Sequence, residues 1–137
     1  MKILPLPLAL AILAAGCATD PEEEAARGRE KASVEIRQLV QDVIDAMKQN
    51  RPEIYHERLC KSQRDAYPIE DVRKDWEEAK GLIQERAASM EVKRVAVDES
   101  NPNVATVTVS APLHPLKELP FQALRENGEW KIWEPRK

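Results

Sequence analysis

The chain has little glycine, four in 137 residues, so no glycine-rich loop is present to cradle a phosphate. Its two cysteines are too few for a disulfide framework, so a packed core must hold the fold. Aromatic residues make up only 4% of the sequence. Each buries a large area, so in a small domain they read first as core. Neither charge sign dominates: the net charge is −3, with acidic and basic residues interspersed. The absence of a basic patch argues against nucleic acid as a partner. No apolar run approaches the roughly 20 residues of helix that cross a bilayer core.

The longest apolar run lies at the start, behind Lys2, and is broken by Pro5 and Pro7. Small residues Ala14, Ala15 and Gly16 follow, and then Cys17. A positive start, a short apolar stretch and a small-residue exit describe a secretory signal peptide over residues 1–16. The run Leu13-Ala14-Ala15-Gly16-Cys17 resembles the lipobox of bacterial lipoproteins. The resemblance implies a diacylglyceryl group on the Cys17 sulfur, cleavage just before it, and attachment to a membrane. Two or more acyl chains suffice for stable anchoring. Ala18 stands after the cysteine where an aspartate would favour inner-membrane retention. In a Gram-negative cell this implies the outer membrane, on its periplasmic side. With Cys17 lipidated, Cys60 is left as a lone thiol.

Residues 17–32 hold the acidic run Glu22-Glu23-Glu24 and almost nothing to bury. They read as a lipidated N-terminus and solvated flexible tether, helical toward its end. From residue 33 a single domain runs to residue 137. Ile36, Leu39, Val40, Val43, Ile44 and Met47 recur at helical spacing. Asn50-Arg51-Pro52 ends that helix, and Pro52 opens a short second one with Tyr55 and Leu59 on its apolar stripe. Pro68 opens a third helix, with Val72, Trp76, Ala79 and Ile83 on one stripe and Gly81 weakening its end.

Beyond about Ser89 the period falls to two. Val92 and the pair Val95, Val97 lie on opposite phases, which predicts a bulge between them. Residues 104–111 form the best strand, and the prolines of Pro112-Leu113-His114-Pro115 interrupt pairing after it. Asn127-Gly128 is a hairpin turn signal, followed by a strand with Trp130 and Ile132 on one face. The fold class is therefore α+β: three helices packed on an antiparallel sheet of about four strands.

This order of elements, with its terminal Leu124-Arg125-Glu126-Asn127-Gly128-Glu129-Trp130-Lys131-Ile132-Trp133, resembles the NTF2-like superfamily, an α+β roll of cystatin-like layout. It is similar in particular to the small bacterial lipoproteins of that superfamily. The resemblance implies a sheet curled around the first helix and a cone-shaped pocket. Some members are enzymes, including ketosteroid isomerase and scytalone dehydratase relatives; many only bind ligands or proteins.

An enzyme of that type needs a carboxylate or histidine on inward strand positions, and none is evident. No catalytic residue, metal site or cofactor is assigned. His56 and Cys60 are spaced i,i+4 on the short helix. They could form a thiolate pair or two metal ligands, but a reactive thiolate needs an identifiable electropositive environment. A buried cysteine beside a surface histidine is the simpler reading. Candidate contacts for a ligand or partner are Tyr55, His56, Cys60, Tyr67, Trp76 and Trp133. On the last strand Trp133 lies opposite Trp130 and Ile132, where with Val107 or Val109 it would make an apolar patch. The expected function is a lipid-anchored, non-enzymatic module of the cell envelope that binds a protein partner or an apolar ligand. The alternative is a small enzyme using His56, Asp65 or Tyr67 on an apolar ligand.

Replacing the lipidation site tests the anchor. Cys17→Ser is expected to leave an uncleaved precursor or to release the protein from the membrane, read by fractionation and intact mass. Normal processing and membrane retention in that variant would contradict it.

Overall fold

The computed structural model describes residues 20–134. The expected signal peptide over residues 1–16 and the expected lipidation site Cys17 lie outside the described residues. Two units are distinguished, Met1–Lys31 and Ala32–Lys137. Helix α1 spans Pro21–Lys48, starting earlier than the apolar pattern places it. Its start is set locally: Asp20 accepts the Glu22 amide at 3.0 Å, Pro21 takes the first turn, and three glutamates follow at the positive end of the dipole. Residues 21–31 are all exposed.

Within the second unit the order is the part of α1 from Ala32, α2 (Pro52–Arg58), α3 (Lys61–Ala66), α4 (Ile69–Ala87), then β1 (Glu91–Val97), β2 (Val104–Ser110), β3 (Glu118–Glu126) and β4 (Glu129–Trp133). The described residues thus hold four helices where the sequence pattern predicts three. The extra one, α3, buries only Gln63, so it has no apolar stripe to reveal it. Helix α4 also runs straight through Gly81, where an added side-chain carbon would meet nothing within 4 Å. Glycine lowers propensity there, but packing of the stripe on either side overrides it.

Helix α1 ends in a left-handed cap. Asn50 has φ 58°, and the Arg51 amide reaches back to the Ala46 carbonyl at 2.8 Å, the long bond of a Schellman motif. The Asn50 side chain also accepts the Trp76 indole N–H at 2.8 Å, which ties this cap to α4.

The sheet is an antiparallel meander in the order β1-β2-β3-β4. Register places three rows on its inner face: Val92–Val109–Leu119, Val95–Val107–Phe121, and Val97–Ala105–Ala123–Ile132. The register shift between Val92 and Arg94 is the expected bulge, and it is what returns Val95 to the face of Val92. Asn127 and Gly128 both have positive φ, as the two-residue hairpin requires.

Ile36, Leu39, Val40, Val43 and Ile44 of α1 cluster with Ala105, Val107, Val109, Ala123, Trp130 and Ile132. Ala105 and Ala123 are 0% exposed, so a larger side chain at either would have to be accommodated inside the core. Overpacking such a position costs about 1–3 kcal/mol.

Both sheet edges are protected. At β1 the bulge carries Lys93, which bonds Glu118 on the strand start of β3. That bond, with the Lys93 and Arg94 charges, holds the Glu118 carboxyl below the ordinary glutamate value. At β4 the edge is covered by the segment between α2 and α3: Leu59 forms a parallel bridge with Ile132, and the Cys60 amide donates to the Ile132 carbonyl at 2.8 Å. Covered or charged edges prevent pairing with another chain.

Candidate functional site

Between α1, α4 and the inner face of the sheet lies a cavity of about 400 Å³. Its floor is apolar: Val40, Val43 and Ile44 from α1, Val109 and Ile132 from the sheet, with Leu119 and Phe121 beside them. Helix α4 lines it along its whole length through Val72, Asp75, Trp76, Ala79, Leu82, Ile83 and Arg86. Those positions follow the i, i+3, i+4, i+7 recurrence, so one face of the helix does all of this. Leu82 is 48% exposed and so sits at the rim.

Polar groups gather toward the start of α4. Tyr55 donates its hydroxyl to Glu134 at 2.6 Å, and Tyr67 donates to Asp75. Tyr55 also stacks at a tilt on Trp76, with ring centroids 5.5 Å apart. All five side chains line the cavity. Arg86, near the other end of α4, and His114, from the loop after β2, also line the cavity.

Glu134 is positioned by Gln63, the one buried polar residue among those described. The Gln63 amide oxygen accepts the Glu134 backbone N–H at 2.8 Å, and its amide nitrogen donates to the Glu134 carbonyl. This pair continues the Leu59–Ile132 bridge with a side chain in place of a strand. Lys131 adds a bond from its ammonium to the Glu57 carbonyl at 3.0 Å.

The structure therefore separates the residues that the sequence singles out. Tyr55, Tyr67 and Trp76 line the cavity. His56 stands behind it and donates from Nε2 to the Tyr67 carbonyl at 2.8 Å, holding the turn that carries Tyr67. Cys60 is buried, with Sγ 3.4 Å from the Ser62 hydroxyl. The helical spacing of His56 and Cys60 does not bring them to one face. Helix α2 stops at Arg58, and the chain is extended at Leu59 with ψ 152°. Asp65 is exposed, and the Lys61 ammonium bonded to it at 2.7 Å keeps its carboxyl below the ordinary aspartate value. Trp133 is half-buried and pairs with Gln122, away from the inner rows. Val107 and Val109 are buried, so they form no exposed patch with it.

Asp75, Arg86, His114 and Glu134 join the cavity without having stood out in the sequence. Extending the stripe of Val72, Trp76, Ala79 and Ile83 by helical steps reaches Asp75 and Arg86, so a signal for those two is present. His114 and Glu134 carry none, because each is placed by a loop or by a bond remote in sequence.

Among the described residues, no group of three or more His, Cys, Asp or Glu side chains is placed to hold a metal ion. Among them too, no helix is long and apolar enough to cross a membrane. No known protein family and no curated protein matches the chain.

The Gln63 clamp gives a direct test of how Glu134 is held. Gln63→Leu keeps the volume but leaves the Glu134 backbone N–H and carbonyl without these partners. Glu134 is half-buried, so the loss is that of ordinary hydrogen bonds, about 0.5–1.5 kcal/mol each. Denaturant unfolding should show a loss of that size; an unchanged midpoint would contradict the assigned role.

Proposed function

We propose that this chain is a lipid-anchored protein of the cell envelope whose domain holds an apolar ligand in the cavity beneath α4. The anchor is Cys17, on the resemblance of residues 13–17 to a lipobox; the implied site is the periplasmic face of an outer membrane. The finer fold reading is an NTF2-like roll, and the arrangement of α1 against a four-stranded meander supports it.

The observation that carries this reading is the cavity itself. At about 400 Å³ it lies within the roughly 300–1,000 Å³ of small-molecule sites. Its apolar floor with a few polar groups at two ends is the pattern such sites use. A surface for a protein partner finds less support, since the Trp133 patch that would have marked one is not formed. The Tyr55–Glu134 and Tyr67–Asp75 pairs favour a second reading, a small enzyme acting on the same apolar ligand. Hydroxyl–carboxylate pairs at a cavity can move protons. Both carboxylates lie outside the strands, and among the described lining residues the remaining titratable side chains are Arg86 and His114, so binding without chemistry is the better-supported conclusion.

An uncharged apolar fluorescent probe, N-phenyl-1-naphthylamine, tests it. The full chain carrying Cys17→Ser should bind the probe saturably, one per molecule. Ala79→Trp, which fills the cavity from α4, should abolish binding while the circular dichroism spectrum is kept. Absence of saturable binding, or binding untouched by Ala79→Trp, would contradict the proposal.

A further inference from the structure

The polar groups on the cavity wall are unequally satisfied, and the inequality has a sign. The two carboxylates, Asp75 and Glu134, each already accept a tyrosine hydroxyl. The donors at the other end are open. Arg86 makes no side-chain hydrogen bond or ion pair among the described residues, and its Nε is buried with no partner. His114 accepts the Leu116 backbone N–H at Nδ1, 3.0 Å away. That bond places the proton of the neutral ring on Nε2. Nε2 therefore stands as a second donor, with no partner among the described residues.

Topology brings these two donors to the same end of the sheet. Helix α4 ends at Ala87, just before β1 begins at Glu91, and Glu91 is in register with Ser110 at the end of β2. The loop carrying His114 starts one residue later, at Ala111. From Asp75 to Arg86 the helix rises about 16 Å at about 1.5 Å per residue. Between them its cavity-facing side chains are Trp76, Ala79, Leu82 and Ile83. The lining thus has an acid end whose carboxylates each hold a tyrosine hydroxyl, an apolar middle, and a basic end with unfilled donors.

A buried N–H without a partner is costly, and a guanidinium pairs best with a carboxylate, which it can hold through two bonds. We infer that the ligand is an apolar monocarboxylate, with its chain along the α4 stripe and its carboxylate on Arg86, assisted by His114. This rests on the cavity reading above and adds its charge and orientation. The small volume suits a medium-length chain rather than a whole two-chain lipid. The reverse orientation would set the carboxylate against Asp75 and Glu134, where like charges repel. The leucines at 113 and 116 flank His114 and are exposed, at 54% and 67%. An apolar chain arriving at this end would meet them first.

The test compares dodecanoate with dodecan-1-ol, which share a chain and differ in the head. Both are titrated by calorimetry into the full chain carrying Cys17→Ser, below their aggregation concentrations. Dodecanoate should bind at least about tenfold tighter, the scale of one charge-assisted hydrogen bond. Arg86→Gln should bring dodecanoate down to the level of the alcohol and leave the alcohol unchanged; Arg86→Lys should retain part of the preference. Equal binding of acid and alcohol, or a preference that survives in Arg86→Gln, would overturn the assignment while leaving the cavity reading intact. Binding of neither would overturn both.

Discussion

The bridge between Leu59 and Ile132, extended by Gln63 onto Glu134, is the constraint on which the rest of the second unit depends. Through it the short extended segment between α2 and α3 takes the place of a further strand at the β4 edge. Its consequences run both ways along the chain. On the helix side it fixes where α2 ends, where α3 starts, and so where Tyr55 and Tyr67 stand. On the sheet side it holds the residue after β4 so that Glu134 turns to meet Tyr55. The segment satisfies main-chain groups that an open edge would leave bare. One short stretch thereby covers the β4 edge and shapes one end of the cavity.

The other end follows from α4. Its stripe faces inward without filling the space over Val109, Leu119 and Phe121. A domain this small has a modest core, and leaving part of its inner face without packing partners gives up dispersion contacts. On the proposed function, a ligand with an apolar chain would restore them. The structure pairs that apolar deficit with a polar one, the unfilled donors of Arg86 and His114. A single amphiphilic molecule answers both, which is why the charge of the ligand and its place in the cavity are one question.

Much of the fold is legible in the sequence because its signals are local. The six apolar positions of α1 fall at helical spacing, Asn127-Gly128 dictates its hairpin, and the phase change from Val92 to Val95 announces the bulge. The start of α1 at Pro21 is also written locally, in Asp20, Pro21 and three glutamates. The lack of anything to bury before Ala32 masks it. Helix α3 cannot be read, because what it buries is a glutamine. The site is legible only in part. Tyr55, Tyr67 and Trp76 belong to the cavity and stand out as aromatics. Glu134 is not recoverable, because the residue that positions it lies 71 positions away and works through a side-chain amide. His56 and Cys60 look paired only if an ideal helix continues through both. The chain leaves that helix at Leu59.

The central claim is that this cavity is where an apolar ligand resides. A crystal structure of the protein grown with decanoate tests it most directly. The account predicts a chain lying along Trp76, Ala79 and Ile83 with its head at Arg86. A cavity closed by α4 packing onto Phe121, or decanoate bound elsewhere on the surface, would contradict it.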